Sequence, residues 1–411
     1  MNIPRLRFKE FNDEWKEKKL GDVSDIRDGT HDSPEYINQG YPLVTSKNIS
    51  NGKIFFDNVN YISEEDYNSI NKRSKVNKGD LLMGMIGTIG NLAIVNEEGF
   101  AIKNVALIKE KEILRNKFLI QLLRSDIFYR KLAFLNEGGT QKFISLGNIR
   151  NLDFNIPSLQ EQQKIADFLS SVDRKIELSE EKLENFREYK KGVMQQIFSQ
   201  ELRFKDENGN DYPEWEENKL GEIGTTFNGL SGKTAKDFGV GEKYIPYKNI
   251  FDNSKIDINR LEFVSINENE NQNKVEFGDI FFTVSSETPE EVGISSVLLD
   301  SLDDSIYLNS FCFGYRLNNK LLYLPHFFRY LLREDIFRKK VLLLAQGSTR
   351  YNISKNEMMK ILVEIPSLPE QQKIANFLSS IDDKIEHLEN ELENLKEFKK
   401  GLLQQSFFKL F

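Results

Sequence analysis

Two stretches of the chain carry a regular alternation of apolar and polar positions. In the second, Ile381, Leu388, Leu395 and Leu402 share one heptad position, and Ile385 and Leu392 share the other, with Lys399 in the next slot. In the first, Val172, Phe186 and Val193 alternate with Ile176 and Leu183, and Ser179 is a polar interruption. Sustained seven-residue spacing between charged flanks predicts a coiled-coil seam. Forty helical residues would span roughly 60 Å. The pattern also suits two amphipathic helices that each pack on their own domain. An antiparallel pair would instead place the flanking blocks at opposite ends. Ser158 with Glu161, and Ser367 with Glu370, have the spacing of an N-terminal capping box. Pro157 and Pro366 precede those caps, and Pro369 falls in a first turn, where a missing N–H matters little. Gly192 and Gly401 are candidate sites for a kink or for the end of the seam.

Elsewhere the pattern is mixed. Asp80–Ile86, Leu92–Val95 and Gly278–Val284 are short apolar runs bounded by turn residues and predict strands. Phe118 to Leu135 and Pro325 to Ala345 read as amphipathic helices rich in Arg and Lys, each followed by a glycine loop (Gly138 to Lys142; Gly347 to Tyr351). These segments predict α+β domains with several twisted strands.

The chain repeats itself. Residues 156–198 and 365–407 align without gaps at 29 identities in 43 positions. Both contain Ile-Pro-Ser-Leu, then Glu-Gln-Gln-Lys-Ile-Ala, and end in Lys-Lys-Gly followed by Gln-Gln. Weaker echoes reach backwards. Leu6-Arg7-Phe8-Lys9, Trp15 and Lys19-Leu20-Gly21 match Leu202-Arg203-Phe204-Lys205, Trp215 and Lys219-Leu220-Gly221. Ser46-Lys47-Asn48-Ile49 matches Tyr247-Lys248-Asn249-Ile250, and Gly79-Asp80-Leu81 matches Gly278-Asp279-Ile280. The 411 residues are therefore two copies of one unit: a variable block, then a nearly constant one.

Composition sharpens this only in places. The formal net charge is −8, which argues against coating nucleic acid by bulk charge. The acidity is uneven: residues 1–158 carry a net +2 and residues 199–367 a net −7. Basic residues still gather at equivalent places, Arg115, Lys117, Arg124, Arg130, Lys131 and Lys142 in one copy and Arg329, Arg333, Arg338, Lys339, Lys340 and Arg350 in the other. The single Cys312 excludes an internal disulfide framework, and three scattered histidines offer little for a zinc site. The N-terminal residues lack an apolar signal core, and no stretch approaches the roughly 18 apolar residues of a membrane span, so a soluble protein of a reducing compartment is expected.

Motifs for catalysis are missing. Gly232-Lys233-Thr234 resembles the end of a phosphate loop, but Phe227 stands where its first glycine belongs. Gly84, Gly87 and Gly90 do not fit the dinucleotide fingerprint. No two prolines are adjacent, which removes the Asn/Asp-Pro-Pro-aromatic motif of amino methyltransferases.

With its duplicated Ile-Pro-Ser-Leu-x-Glu-Gln-Gln-Lys-Ile-Ala blocks, the chain resembles the specificity (S) subunit of Type I restriction–modification systems over essentially its whole length. Arg27-Asp28-Gly29-Thr30-His31 and the two glycine loops also look like that family. The resemblance implies two pseudo-symmetric α/β target-recognition domains separated by two long helices that form an antiparallel coiled-coil spacer. On this reading residues 1–158 and 201–367 are the recognition domains, and 159–200 and 368–411 the helices. It further implies a non-catalytic subunit in the cytoplasm of a bacterium or archaeon. Its expected partners are double-stranded DNA, two modification subunits that methylate adenine N6 with S-adenosylmethionine, and restriction subunits that use ATP and Mg. No cofactor and no membrane are expected for the chain itself. A stand-alone DNA-modifying enzyme and a purely structural coiled-coil scaffold remain the alternatives.

Side-chain chemistry nominates the contacts. Arg and Lys suit guanine, Asn and Gln suit adenine, and Thr suits phosphate. The candidates are Thr140, Gln141 and Lys142; Thr349, Arg350 and Tyr351; Lys47 and Asn48; Lys248 and Asn249; and Thr30 and His31. Glycine and small polar residues also build plain turns, so each could be structural.

Overall fold

The structure is a computed structural model that describes residues 4–87, 89–134, 143–267, 269–301, 304–347 and 350–407. The chain divides into two compact units, residues 1–181 with 389–411, and residues 182–388. Both boundaries fall inside long helices, Leu159–Phe198 and Leu368–Ser406.

In the first unit a four-stranded antiparallel sheet has the order Ser24–Asp28, Val105–Glu110, Leu81–Gly84, Leu92–Ile94. The run Val105-Ala106-Leu107-Ile108 is fully buried because both faces of the sheet are covered. Alternation with period two sends its side chains into different cores. Ala106 and Ile108 join Leu81 and Met83, while Val105 and Leu107 join Val44 and Leu82. A second sheet sets Tyr41–Val44 between Asn60–Ile62, antiparallel, and Ala101–Ile102, parallel. Lys16–Lys19 pairs with Asp153–Ile156 just before the first long helix.

The second unit repeats this plan. Its four-stranded sheet runs Gly224–Asn228, Cys312–Leu317, Ile280–Thr283, Ser295–Val297. Its three-stranded sheet sets Phe238–Ile245 between Glu262–Val264 and Ile306–Leu308, and Glu216–Lys219 pairs with Leu362–Ile365. The expected mixed α and β class and the duplication are thus both present.

The long helices pair antiparallel inside each unit. In the first, Ile165, Leu169 and Val172 share a core with Leu402, Leu403 and Phe407, and Asp173 and Glu180 pair with Lys399 and Lys396. In the second, Val193, Ile197 and Phe198 share a core with Ile374, Leu378 and Ile381, and Lys190 meets Asp382 at 2.5 Å. Helix continues through Gly192 and Gly401, so neither ends the seam, and an added Cβ at either would meet open space.

Two local expectations change. The capping boxes are incomplete. Ser158 Oγ accepts from Glu161 N at 3.3 Å, but Ser367 Oγ makes no hydrogen bond among the described residues. Glu161 and Glu370 turn away from the helix start because each is buried against an arginine from the N-terminal arm of its unit. Arg7 reaches Glu161 at 2.7 and 2.8 Å, and Arg203 reaches Glu370 at 3.3 and 2.9 Å. The basic amphipathic helices are also each broken in two, Asn116–Leu123 with Asp126–Phe134 and Pro325–Leu331 with Asp335–Leu342. In the second, the Glu334 carboxylate accepts from Ile336 N at 2.6 Å and from Phe337 N, which starts a new helix in mid-run.

The neighbouring Gln explains another part of the constant blocks. Gln162 accepts from Arg115 N and donates to the Ile113 and Pro157 carbonyls, each at 3.0 Å. Gln371 accepts from Leu324 N at 2.8 Å and donates to the Leu322 and Pro366 carbonyls at 2.9 Å. The same side chain therefore fastens the same helix start in both units. The chain ends repeat the internal junction too. Leu6 N donates to Gln405 O and Leu202 N to Gln196 O, both at 3.0 Å.

Candidate nucleic-acid interface

The second unit holds one cleft that gathers residues nominated from separate motifs. Lys248 and Arg350 line it together, with Tyr247, Phe251, Glu287 and Phe311. Three local structures make it. The helix Tyr247–Asp252 carries Tyr247, Lys248 and Phe251, whose two rings stack at 6.3 Å. Ser285–Ser286 pairs antiparallel with Tyr351–Asn352, which sets Arg350 beside Ser286 and Glu287. Asn309 begins a turn in which its side-chain oxygen accepts from Phe311 N at 2.8 Å, and Phe311 is left 63% exposed.

Lys248 and Arg350 are exposed, so both cations face solvent at the cleft. The Tyr247 hydroxyl donates to Ser285 O at 2.9 Å, and burial pushes its pKa above the ordinary value. Two carboxylates of the wall have partners, Asp252 with Arg260 at 2.8 Å and Glu291 with Ser286 Oγ at 2.6 Å. Glu287 is exposed. The cleft thus offers cationic donors, a carboxylate acceptor and apolar rings on one surface. Those are the groups that read base edges and thymine methyls in a major groove.

Other nominated residues have structural work. Asn249 is fully buried. Its amide donates to Asp257 O at 2.8 Å and Arg260 O at 3.1 Å, and its oxygen accepts from Asp257 N at 3.0 Å. Asn48 is buried in the same way, with its oxygen accepting from Thr45 N and its amide donating to the Phe55 and Asn58 carbonyls. Both asparagines lock a loop and leave their exposed neighbours, Lys47 and Lys248, free to face outward, which corrects their nomination as base readers. Thr30 is buried, bridged to Lys103, and its counterpart in the repeat is the buried Leu230. Gly29 precedes it because a side chain there would collide with the Ile102 carbonyl. His31 is exposed and hydrogen-bonded to Asn104 at 2.7 Å and Asp28 at 2.8 Å. Tyr351 lies in the short strand pair. Thr140, Gln141, Lys142 and Thr349 lie outside the described residues.

Several side chains of the two basic clusters are held by the fold, while Lys117, Arg130, Lys339 and Lys340 are exposed. Arg333 and Arg338 donate to main-chain carbonyls, Arg329 pairs with Asp382 at 2.8 Å, Lys131 with Asp153 at 2.8 Å, and Lys340 binds Leu362 O at 2.7 Å. Arg124 meets Asp173 at 3.3 Å. Sequence reasoning groups these only as basic clusters, because a one-dimensional pattern cannot tell a clasped guanidinium from a free one. It also missed Phe311, whose signal is an aromatic directly after Asn309-Ser310 at a strand entry. Among the described residues no His, Cys, Asp and Glu side chains converge as a metal site requires, and no helix is long and apolar enough to cross a membrane.

Comparison with known proteins places this architecture. The family profile of the Type I restriction modification DNA specificity domain matches residues 12–186 and 212–397. The MjaIX specificity subunit of a Type I restriction enzyme from Methanocaldococcus jannaschii is 23% identical, over 96% of this chain and 93% of its own length. The MjaVIII specificity subunit of the same organism is 28% identical over 208 residues, where the chain spans about half that relative's length (48% of this chain, 49% of the relative). The crystal structure of a Type I restriction–modification S subunit from M. genitalium shares the fold, with a TM-score of 0.60, 18% identity and full coverage of both chains. One profile matched in each of two units with the same sheet order leaves a single assignment: the chain belongs to the family of Type I restriction–modification DNA specificity subunits.

Proposed function

We propose that this chain is the sequence-reading subunit of a Type I restriction–modification complex and that it reads a bipartite, asymmetric site on double-stranded DNA, one unit per half-site. The observation that carries this reading is the cleft of the second unit, where Lys248 and Arg350 meet beside the exposed ring of Phe311. In this reading Arg350 or Lys248 donates to guanine or to phosphate, Glu287 accepts from cytosine N4, and Phe311 contacts a thymine methyl. In the first unit the exposed Lys47 takes the place of Lys248, and Ile144 N binds Met85 O as Ile353 N binds Val284 O.

The chain contributes no catalysis in this account. Two modification subunits supply S-adenosylmethionine and adenine N6 methylation, and restriction subunits supply ATP- and Mg-dependent cleavage. Docking of the modification subunits falls to the constant helices. Support comes from Tyr189 and Phe398, aromatics at equivalent positions of the repeat that are 51% and 55% exposed on otherwise polar faces. The net charge of −8 fits a reader that grips DNA weakly when alone, with its partners adding phosphate contacts.

The test is Arg350→Ala together with Lys248→Ala in the assembled complex, followed by sequencing of methylated adenines. One bidentate base contact is worth about 1–3 kcal/mol of discrimination. The letters of one half-site should relax by at least about tenfold while the other half-site is kept. An unchanged motif with unchanged affinity would remove the cleft from the reading.

A further inference from the structure

We propose that Arg333 and Arg338 set the specificity of the second unit without touching DNA, by clasping the two segments that wall its cleft. This rests on the reading of that cleft as a base-reading surface.

Arg333 donates from Nε to Ser295 O at 2.6 Å and from Nη2 to the carbonyls of Ile250, Phe251 and Asn253 at 2.9, 3.4 and 2.7 Å. Those carbonyls end the helix Tyr247–Asp252, which carries Tyr247, Lys248 and Phe251. A helix of six residues is too short to hold itself, and its last carbonyls have no partner within the helix. Arg333 satisfies them and places a cation at the negative end of the helix. Arg338 does the same for the opposite wall. It donates from Nη1 to Gly293 O at 2.7 Å and from Nη2 to Glu290 O and Val292 O at 2.8 and 2.9 Å. That turn follows Ser286 and Glu287 directly in the chain. Both arginines thus hold cleft walls from one short stretch, Arg333 to Arg338.

The purpose of the pair is geometric. Neither arginine has a carboxylate in ion-pair range among the described residues, so neither is there to balance an internal charge. Burial draws both guanidiniums down to about 10, and they remain charged at neutral pH. A planar fork can span several carbonyls at once, whereas an ammonium on a flexible stem cannot. The device belongs to this unit. The counterpart of Arg338 in the repeat is the exposed Tyr129, and the counterpart of Arg333, Arg124, meets the carboxylate of Asp173.

The substitutions Arg333→Lys and Arg338→Lys keep the charge and remove the fork. Each is assembled with modification subunits, melted to check folding, and read by sequencing of methylated adenines, beside wild type and Arg350→Ala. The expected result is relaxation of at least tenfold at letters of the half-site that Arg350→Ala also relaxes, with the other half-site and the gap unchanged. Arg338→Lys decides the matter, because Arg338 clasps a single turn, whereas Arg333 also ties Ser295 to the end of the helix Tyr247–Asp252. A uniform fall in methylation with unchanged letters means a merely structural role and overturns the proposal. So does relaxation spread over both half-sites. If wild type directs methylation to no bipartite site, the DNA reading itself fails and takes the proposal with it.

Discussion

Gln371 and Gln372 are adjacent and chemically identical, yet the structure assigns them opposite importance. Gln371 is buried and makes three hydrogen bonds, to Leu324 N, Leu322 O and Pro366 O. Gln372 is exposed and makes one, from Nε2 to Asn376 one turn on, at 2.7 Å. Gln371→Ala removes three bonds worth about 1 kcal/mol each net, and it leaves one N–H and two carbonyls partly or wholly unsatisfied, so about 3 kcal/mol is the expected loss. For a unit of roughly 200 residues that lowers the melting temperature by about 6–12 °C. Gln372→Ala removes a surface contact worth about 0.3 kcal/mol and gains from alanine's helix propensity, so the shift should be within about 1 °C. Thermal melts followed by circular dichroism measure both, and the pair Gln162 and Gln163 should behave alike in the first unit. Equal shifts for Gln371→Ala and Gln372→Ala would refute the argument that the constant blocks are constant because they fasten each long helix to its own unit.

Two further outcomes follow from the helices. Inserting one heptad between Ile165 and Gln195, and a matching one between Ile374 and Gln404, adds about 10 Å of helix. The unread gap should widen by about three base pairs with both half-sites intact; altered letters with an unchanged gap would contradict it. Tyr189→Ala with Phe398→Ala should weaken assembly with modification subunits by tenfold or more, measured by titration calorimetry, and leave the melting temperature of the chain alone; unchanged assembly would remove these rings from the docking surface.

Much of the fold was legible because its signals are local. The heptads from Ile381 to Leu402 became a buried seam, and the short apolar runs at Leu81 and Ile280 became central strands. What sequence reasoning misassigned depends on partners far away in the chain. Glu161 has the spacing of a capping residue, but its partner Arg7 lies 154 residues earlier. Asn48 and Asn249 follow exposed lysines and have the chemistry to read adenine, yet their polar atoms lock loops that only the folded chain brings around them. Arg333 looked like part of a basic face, and nothing in its neighbours along the chain announces the carbonyls of Ile250 and Asn253. Of the nominated residues, Lys248 and Arg350 come from separate motifs and meet in one cleft, while Thr30 and His31, neighbours in one motif, line another.

The central claim is that this chain directs adenine methylation to a two-part site. Its most direct test is sequencing of methylated adenines in cells that hold the modification subunits, with and without this chain. The account predicts that the chain adds one asymmetric motif, two short blocks of fixed letters separated by a gap of fixed length. A single continuous motif, or the same methylation in its absence, would contradict it.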